Sequence, residues 1–519
     1  MNNGQAQDHS DKVNFWHRLR EAARAIINLR RPDFRAAGTF VAMQYGHLPL
    51  PLKWLRFLGW AWRQVWRTIP EVMGHLSISG KVSRTPMWLI DSNPLANHPW
   101  QGNAEAQLPR EADTVVIGAG FTGGALAYQW SKRAPDDRLM VVLDMDDPAS
   151  GSSGRNEGLV VMGRYFKQVR DTVLAQLLRT RRDVSKGQNE QLAYQFADRY
   201  CHAAYHNAEL IRQTIETEGF DCGYSRSGWV QAQDTGQQQA LRDSVQIAGD
   251  SGFEDWSSIH PDKVRQYTGM RVQHDAGYSR GAASWHPAKW VWCLLTTAIR
   301  RSCVQLYTRT KVSKVDEQGT GYVIHTDRGP ITANHIVYAT ESYTPNLQKD
   351  LHDVIEPRQE QAASGDGGPA DMKPHIGISG LWFFAGRYGP RVLFGSGGSR
   401  VPDHEAGRNQ PSRFLTKFAA SEMKRSYGPY RLHITHEWSG TVGYTPDEYP
   451  IVGSIDGKGK YVIAGMCGSG SSVSFNGGRC IANRILALTD EADDYPPAYF
   501  APSRLMAPDR HQWPQIESN

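Results

Sequence analysis

The stretch Asp113–Asp144, DTVVIGAGFTGGALAYQWSKRAPDDRLMVVLD, decides the fold. Thr114–Ile117 is a short apolar run of the kind that forms a strand buried on both faces. Gly118-Ala-Gly120-Phe121-Thr122-Gly123 follows at once, and a helix is predicted from Phe121 to about Arg133. In such a turn the first glycine permits the tight reversal and the second lets backbone approach a pyrophosphate. The third lets the helix pack closely on the sheet, and the positive end of the helix faces the phosphates. Leu139–Asp144 predicts a second buried strand. It ends on Asp144, 21 positions after Gly123, where a carboxylate accepts from a ribose hydroxyl. Asp146 and Asp147, past the strand end, are rivals for that role. GxGxxG alone is weak evidence in a chain with 50 glycines. Strand, glycines, helix, strand and acid in this order predict an α/β, Rossmann-like nucleotide-binding opening.

Around this centre, 519 residues with 40% apolar and 21% charged composition describe a globular protein of more than one domain. Disorder, collagen and coiled coil are excluded for the chain as a whole. The net charge of +5 is unevenly placed: residues 1–110 hold 14 Lys/Arg against 7 Asp/Glu, so the body carries −2. Nucleic acid is not an expected partner. The six cysteines form no CxxC pair, which argues against a disulfide framework or a metal site and makes a reducing, cytoplasmic setting the default. Arg30-Arg31 is followed by no hydrophobic region suited to export, and no apolar run is long enough to span a membrane.

Lys12–Arg31 predicts an amphipathic helix with Phe15, Trp16, Leu19, Ile26 and Ile27 on one face and arginines on the other. Leu52–Thr68 predicts a second, with four tryptophans among basic residues. Two placements suit such faces: packing on the catalytic body, which is preferred, or peripheral contact of residues 12–68 with an anionic membrane. Asn93–Pro109 reads as a linker. Long helices are predicted over about Arg170–Asp183 and Asn189–Glu218, a loop over 361–379, and a last helix over about Gly477–Leu488.

Beyond the second strand, Gly151-Ser-Ser153-Gly154-Arg155-Asn156-Glu157-Gly158 resembles the GASGRNGG stretch of the D-amino-acid oxidase-like flavoenzymes, in the branch of γ-glutamylputrescine, glycine and sarcosine oxidases. Glu157 departs from it, replacing a glycine close to where the flavin would lie. Ala339-Thr340-Glu-Ser-Tyr-Thr-Pro345 is similar to the family's ATNAYTP strand end. Trp438-Ser-Gly440 with Thr445-Pro446-Asp447 looks like its WSG…TPD segment, and Gly465-Met-Cys-Gly468-Ser469-Gly470 resembles its glycine loop.

The resemblance implies a Rossmann-like FAD-binding domain (about 111–165, 300–345 and 435–490) interleaved with an antiparallel-sheet substrate domain (about 166–299 and 346–434). The helical N-terminal extension and linker (1–110) lie outside it, and 491–519 forms a C-terminal tail. It implies FAD contacts from Gly118, Gly120, Phe121, Thr122, Gly123, Asp144, Ser153, Gly154, Arg155, Asn156, Gly158, Val312, Ala339, Thr340, Gly440, Asp447, Gly465, Gly468, Ser469 and Gly470. The cysteine and histidine that attach flavin covalently in some relatives have no counterpart here, so the FAD is expected to be noncovalent.

The implied activity is oxidation of a C–N bond in a small amine or amino acid by hydride transfer to flavin N5, with O2 or an electron carrier as acceptor. The alternative is a membrane-surface dehydrogenase of the same fold, or one acting on a hydroxy acid. No metal is required. No acid–base residue is demanded, because the cofactor carries the chemistry. Tyr165, His286 beside Trp285, Arg387 and Arg391 are candidates for the substrate site. Each also has a plain structural reading, and Cys467 is most simply a small filler.

Overall fold

Val115, Val116, Val141 and Val142 are fully buried, as an all-apolar strand pair covered on both faces must be: Val116 and Val142 pack with the helices, Val115 and Val141 with Val312, Tyr322 and Leu351. In the computed structural model, which describes residues 14–29, 48–74, 76–99, 106–161, 166–253, 255–400 and 410–515 with isolated positions between 33 and 45, the strand Glu111–Ile117 lies parallel between Met140–Leu143 and Gly329–Tyr338. Val115 sits opposite Val141 on one side and Ile336 on the other. Val304–Tyr307 adds a parallel strand beyond Met140–Leu143. The long strand Gly329–Tyr338 pairs first with antiparallel Gly321–Thr326, then with parallel Lys460–Ala464. This is a Rossmann-like, eight-stranded mixed sheet.

The helix Phe121–Arg133 is buried on nearly every side because the helices Pro287–Ala298 and Ser474–Leu486 both pack on it. Contact with the second is close: a Cβ on Gly478 would stand 2.9 Å from that of Ala125. The long helices are Phe166–Thr180 and Lys186–Glu218, close to the sequence prediction.

A second, nine-stranded sheet is mostly antiparallel. It runs in the order 76–83, 432–444, 356–367, 391–400, 384–388, 377–379, 229–231, 276–279, 256–259. Its centre corrects one expectation. Residues 361–367 of the predicted loop 361–379 belong to the strand Glu356–Gly367, which pairs on both sides, and 377–379 form a further short strand. The glycines there serve packing: a Cβ on Gly365 would lie 2.0 Å from the His433 carbonyl oxygen. Composition alone reads such a run as a turn, whereas the sheet needs it so that strands can approach.

The N-terminal extension is both helical and sheet-forming. Phe15–Ile27 is a helix. Leu50–Arg63 continues through the π-helical turn Gln64–Thr68 into Ile69–Met73. Leu76–Ser83, which the sequence reading did not anticipate, adds a parallel edge strand beside Leu432–Tyr444. Trp60, Ile69 and Val72 are buried, with Trp60 packed edge-on against Phe414. Trp16, Trp54 and Trp62 stay exposed. The preferred packing reading therefore holds for one face of the extension only. At the other terminus the fully buried Arg504 reaches Asp447 at 2.9 and 3.2 Å and donates to the carbonyls of Tyr449, Pro450 and Phe500. A buried guanidinium needs that full set of acceptors.

Candidate active site

A cavity of about 870 Å³ opens where the strands Glu111–Ile117 and Met140–Leu143 end, the position at which parallel α/β sheets bind ligands. One end is lined by Gly118, Gly120, Phe121, Thr122, Asp144 and Ser153. The other reaches the nine-stranded sheet at Glu360, Gln361 and Phe384.

At the first end backbone and side chains hold one another in place. Gly118 has φ +108°, a conformation L side chains rarely adopt. Gly123 leaves no room for a side chain, since its Cβ would lie 1.8 Å from the Gly118 carbonyl oxygen. The helix Phe121–Arg133 has no side-chain N-cap. Ser153 Oγ instead accepts from the Phe121 N–H at 2.8 Å and ties the second flavin-family segment to the first. Asp144 Oδ2 accepts from the Ala119 N–H (2.6 Å) and Oδ1 from the Asp146 N–H (2.9 Å). Burial pushes the Asp144 carboxyl up to about 7 against these two hydrogen bonds. Of its rivals, Asp147 is taken up by Arg309 (2.9 Å) and the Asn97 N–H (2.7 Å), whereas Asp146 also lines the cavity.

Further along, the Arg155 guanidinium donates to the carbonyls of Ser150 (2.8 Å) and Ser439 (3.2 Å), and so stitches the segment to the sheet strand Leu432–Tyr444. Trp438 Nε1 donates to the Arg155 carbonyl from the same strand, and Trp88 Nε1 donates to the Asn156 carbonyl. Glu341, at φ +49°, accepts from the Gly443 N–H (2.6 Å) and the Met466 N–H (2.8 Å), clamping the strand end to the glycine loop. Burial raises its carboxyl to about 7. Glu157 is pushed up to about 8 by burial and by the Glu360 carboxylate.

Of the predicted cofactor contacts, Gly118, Gly120, Phe121, Thr122, Asp144, Ser153, Arg155, Asn156, Val312, Ala339, Thr340, Gly440, Gly468 and Gly470 line the cavity. Gly123, Gly154, Gly158, Gly465 and Ser469 stand behind the wall and shape it. A Cβ on Gly154 would reach the Ala149 carbonyl oxygen at 2.2 Å, and one on Gly158 the Trp88 ring at 2.6 Å.

Three expectations are corrected. Asp447 is absent from the wall, because its carboxylate is committed to Arg504. His286 caps the helix Pro287–Ala298, Nδ1 accepting from the Lys289 N–H, and lies 3.4 Å from Asp91. Burial lowers it to about 4 despite that carboxylate. Arg387 donates to the carbonyls of Pro369 and Met372 and secures that loop, away from the cavity. Tyr165 lies outside the described residues.

The sequence reading missed Glu341, Tyr343, Glu360, Gln361, Phe384 and Met466 on the wall. The departure at Glu341 from the family segment was visible in the sequence. Glu360 and Phe384 had no signal, because strand pairing alone brings them there.

Residues 113–484, well over half of the chain, match the family described as FAD dependent oxidoreductase. The chain belongs to that family. Two curated relatives carry the name "Probable oxidoreductase OrdL". The protein from Rhizobium meliloti is 23% identical over 393 residues, spanning 74% of this chain and 85% of the relative. The one from Haemophilus influenzae is 22% identical over 411 residues, spanning 74% and 86%. Among solved structures, L-proline dehydrogenase from P. horikoshii shares the fold at TM-score 0.60 and 17% identity, over 76% of this chain and 98% of that one. Glycine oxidase from Bacillus cereus does so at 0.56 and 17%, over 73% and 96%.

The residues present fit the family's dinucleotide. A helix N-terminus, a glycine turn in which a Cβ on Gly118, Gly120 or Gly123 would meet neighbouring protein atoms at 2.6, 2.7 and 1.8 Å, and a carboxylate at the second strand end meet in a cavity of ligand size. Among the described residues lining it there is no cysteine or histidine, the side chains that attach flavin covalently in relatives.

Proposed function

We propose that this FAD-dependent oxidoreductase oxidises a C–N bond in a small amine or amino acid to an imine, which water then hydrolyses. The observation that carries the reading is the continuity of the cavity. Its nucleotide end runs without interruption into a chamber walled by Leu159, Val161, Phe384 and Met466. When bound, FAD supplies the two-electron acceptor. The chain's task is to orient the C–H bond, exclude water and keep the reacting nitrogen neutral, which an apolar wall favours. Glu341 holds the backbone of the glycine loop against the strand end, so that wall is fixed before substrate arrives. In an anaerobic cuvette, a primary or secondary amine should bleach the flavin, faster as pH rises toward the amine's own pKa. Bleaching by 2-hydroxy acids alone would sink the assignment.

A second reading concerns the electron acceptor. Of 19 exposed large hydrophobic side chains among the described residues, 13 lie between Phe15 and Trp62, 11 of them on the helices Phe15–Ile27 and Leu50–Arg63, which also carry five arginines. No described helix is long and apolar enough to cross a membrane. Such a surface suits the headgroup layer, and with it an electron acceptor dissolved in lipid rather than O2. Oxygen uptake by the purified protein, with and without a short-chain quinone, separates the two acceptors.

A further inference from the structure

We infer that Trp88, which lies before the residues matched by the family, is a positioning residue for the FAD site: with Tyr388 it fixes the backbone of the wall segment Arg155–Gly158. The inference rests on the family's cofactor and is independent of the substrate class.

Arg155, Asn156 and Glu157 line the cavity, and their three consecutive carbonyls are each taken by an aromatic donor from a different part of the chain. Trp438 Nε1 donates to the Arg155 carbonyl at 2.9 Å, Trp88 Nε1 to that of Asn156 at 2.8 Å, and the Tyr388 hydroxyl to that of Glu157 at 2.7 Å. Trp438 comes from the strand Leu432–Tyr444 and Tyr388 from the strand Phe384–Tyr388. Trp88 sits on the short turn Met87–Leu89 of the N-terminal extension, only 2% exposed, with its ring edge-on to Tyr388 at 4.8 Å.

The segment's own polar side chain is used within it. The Asn156 amide donates to the carbonyls of Ser152 and Ser153, and its Oδ1 accepts from the Gly158 N–H. Its carbonyls therefore need donors from outside, and a buried carbonyl without one is costly enough to pull the backbone out of place. The same turn also backs the segment by contact. Gly158 has φ +76°, and a Cβ there would meet the Trp88 ring; one on Gly154 would lie 2.9 Å from Leu89. Asp91 anchors the turn in its place, reaching Lys289 at 3.2 Å and His286 at 3.4 Å at the start of the helix Pro287–Ala298. Trp88 itself is absent from the cavity wall, so it acts through Asn156 and Gly158. A wall held from behind at successive carbonyls cannot recede when the cofactor presses on it, which is how supporting residues keep a site in register.

The test compares wild-type holoenzyme with Trp88→Phe, Tyr388→Phe and the double variant. Trp60→Phe is the control, another buried tryptophan of the extension that packs on Phe414 and does not line the cavity. Three signals are read: Tm, FAD released on dilution (by free-flavin fluorescence), and the visible circular dichroism of the bound flavin. Trp88→Phe keeps an aromatic ring and removes the N–H. It should weaken FAD retention about 3- to 10-fold, the scale of one neutral hydrogen bond, and alter the flavin dichroism. Trp60→Phe should lower Tm and leave both flavin signals as in the wild type. The loss in the double variant should depart from the product of the single losses, because both residues hold one segment. Lower Tm in Trp88→Phe with wild-type FAD retention and dichroism would make Trp88 a plain core residue and overturn the inference. If Trp88→Phe yields no folded protein, Tyr388→Phe decides by the same signals: weakened retention with altered dichroism supports the inference, and unchanged flavin signals overturn it.

Discussion

Asp144 shows how one residue serves two structures at once. Its carboxylate organises the turn through the Ala119 and Asp146 N–H groups, and it stands on the cavity wall where a ribose would lie. Asp144→Ala should therefore weaken FAD binding about 10- to 100-fold, the equivalent of about 1.5–3 kcal/mol for a hydrogen bond to a charged group. Fluorescence titration of the apoprotein measures it. Unchanged affinity, with Asp146→Ala weakening it instead, would move the ribose contact to Asp146.

Glu157 makes a prediction about pH. Its pKa is raised on folding from the ordinary 4.5 to about 8, so between those values the folded state binds more protons than the unfolded chain. Stability from this group is then greatest at low pH and falls as pH rises through the window. Glu157→Gln should flatten that slope and raise the apoprotein Tm at pH 8 by on the order of 2 °C. A steeper loss in the variant would mean that the carboxylate is stabilised by something other than its described neighbours.

At the level of elements, the N-terminal helices divide their faces between two environments. Trp60 and Val72 pack inward on the helix Arg413–Tyr427 and its surroundings, while Trp16, Trp54 and Trp62 point out beside arginines. Replacing the three exposed tryptophans by serine should leave the fold and FAD content intact and abolish flotation with anionic liposomes. Added salt should weaken flotation of the parent protein, since each basic residue near the surface contributes about 1 kcal/mol. Parent protein that ignores both anionic and neutral vesicles would remove the membrane reading.

The central strand Glu356–Gly367 carries the opposite lesson about composition. Gly365→Val should cost about 3 kcal/mol or more, because its Cβ meets backbone rather than a movable side chain. Urea melts of the two proteins give the difference, and a loss under about 0.5 kcal/mol would mean the strand pairing can shift.

For the whole molecule, the cavity is walled by residues from both large sheets and from many separate stretches of backbone, from Ile117 to Ser474. Bound FAD should act as a structural strut as well as a cofactor, and added FAD should raise the apoprotein Tm with the logarithm of its excess over Kd. Because no cysteine or histidine is among the described residues lining the cavity, acid precipitation should release the yellow flavin into the supernatant. Flavin retained in the pellet would point to a covalent link.

The nucleotide end was legible in the sequence because its determinants are local. Gly118, Gly120, Gly123 and Asp144 lie within one strand–turn–helix–strand unit, where backbone sterics and short spacing decide geometry without help from the rest of the chain. His286, Arg387 and Asp447 were legible as residue types and misplaced as roles. A helix cap, two loop carbonyls and Arg504 claim them, and those partners are 3 to 57 residues distant in sequence. The far end of the cavity was decided by tertiary structure alone. Glu157, Glu360 and Phe384 meet because the strand Glu356–Gly367 pairs with Arg391–Arg400 and Leu432–Tyr444 in one register, and strand register is set by packing across the sheet rather than by the residues on either side.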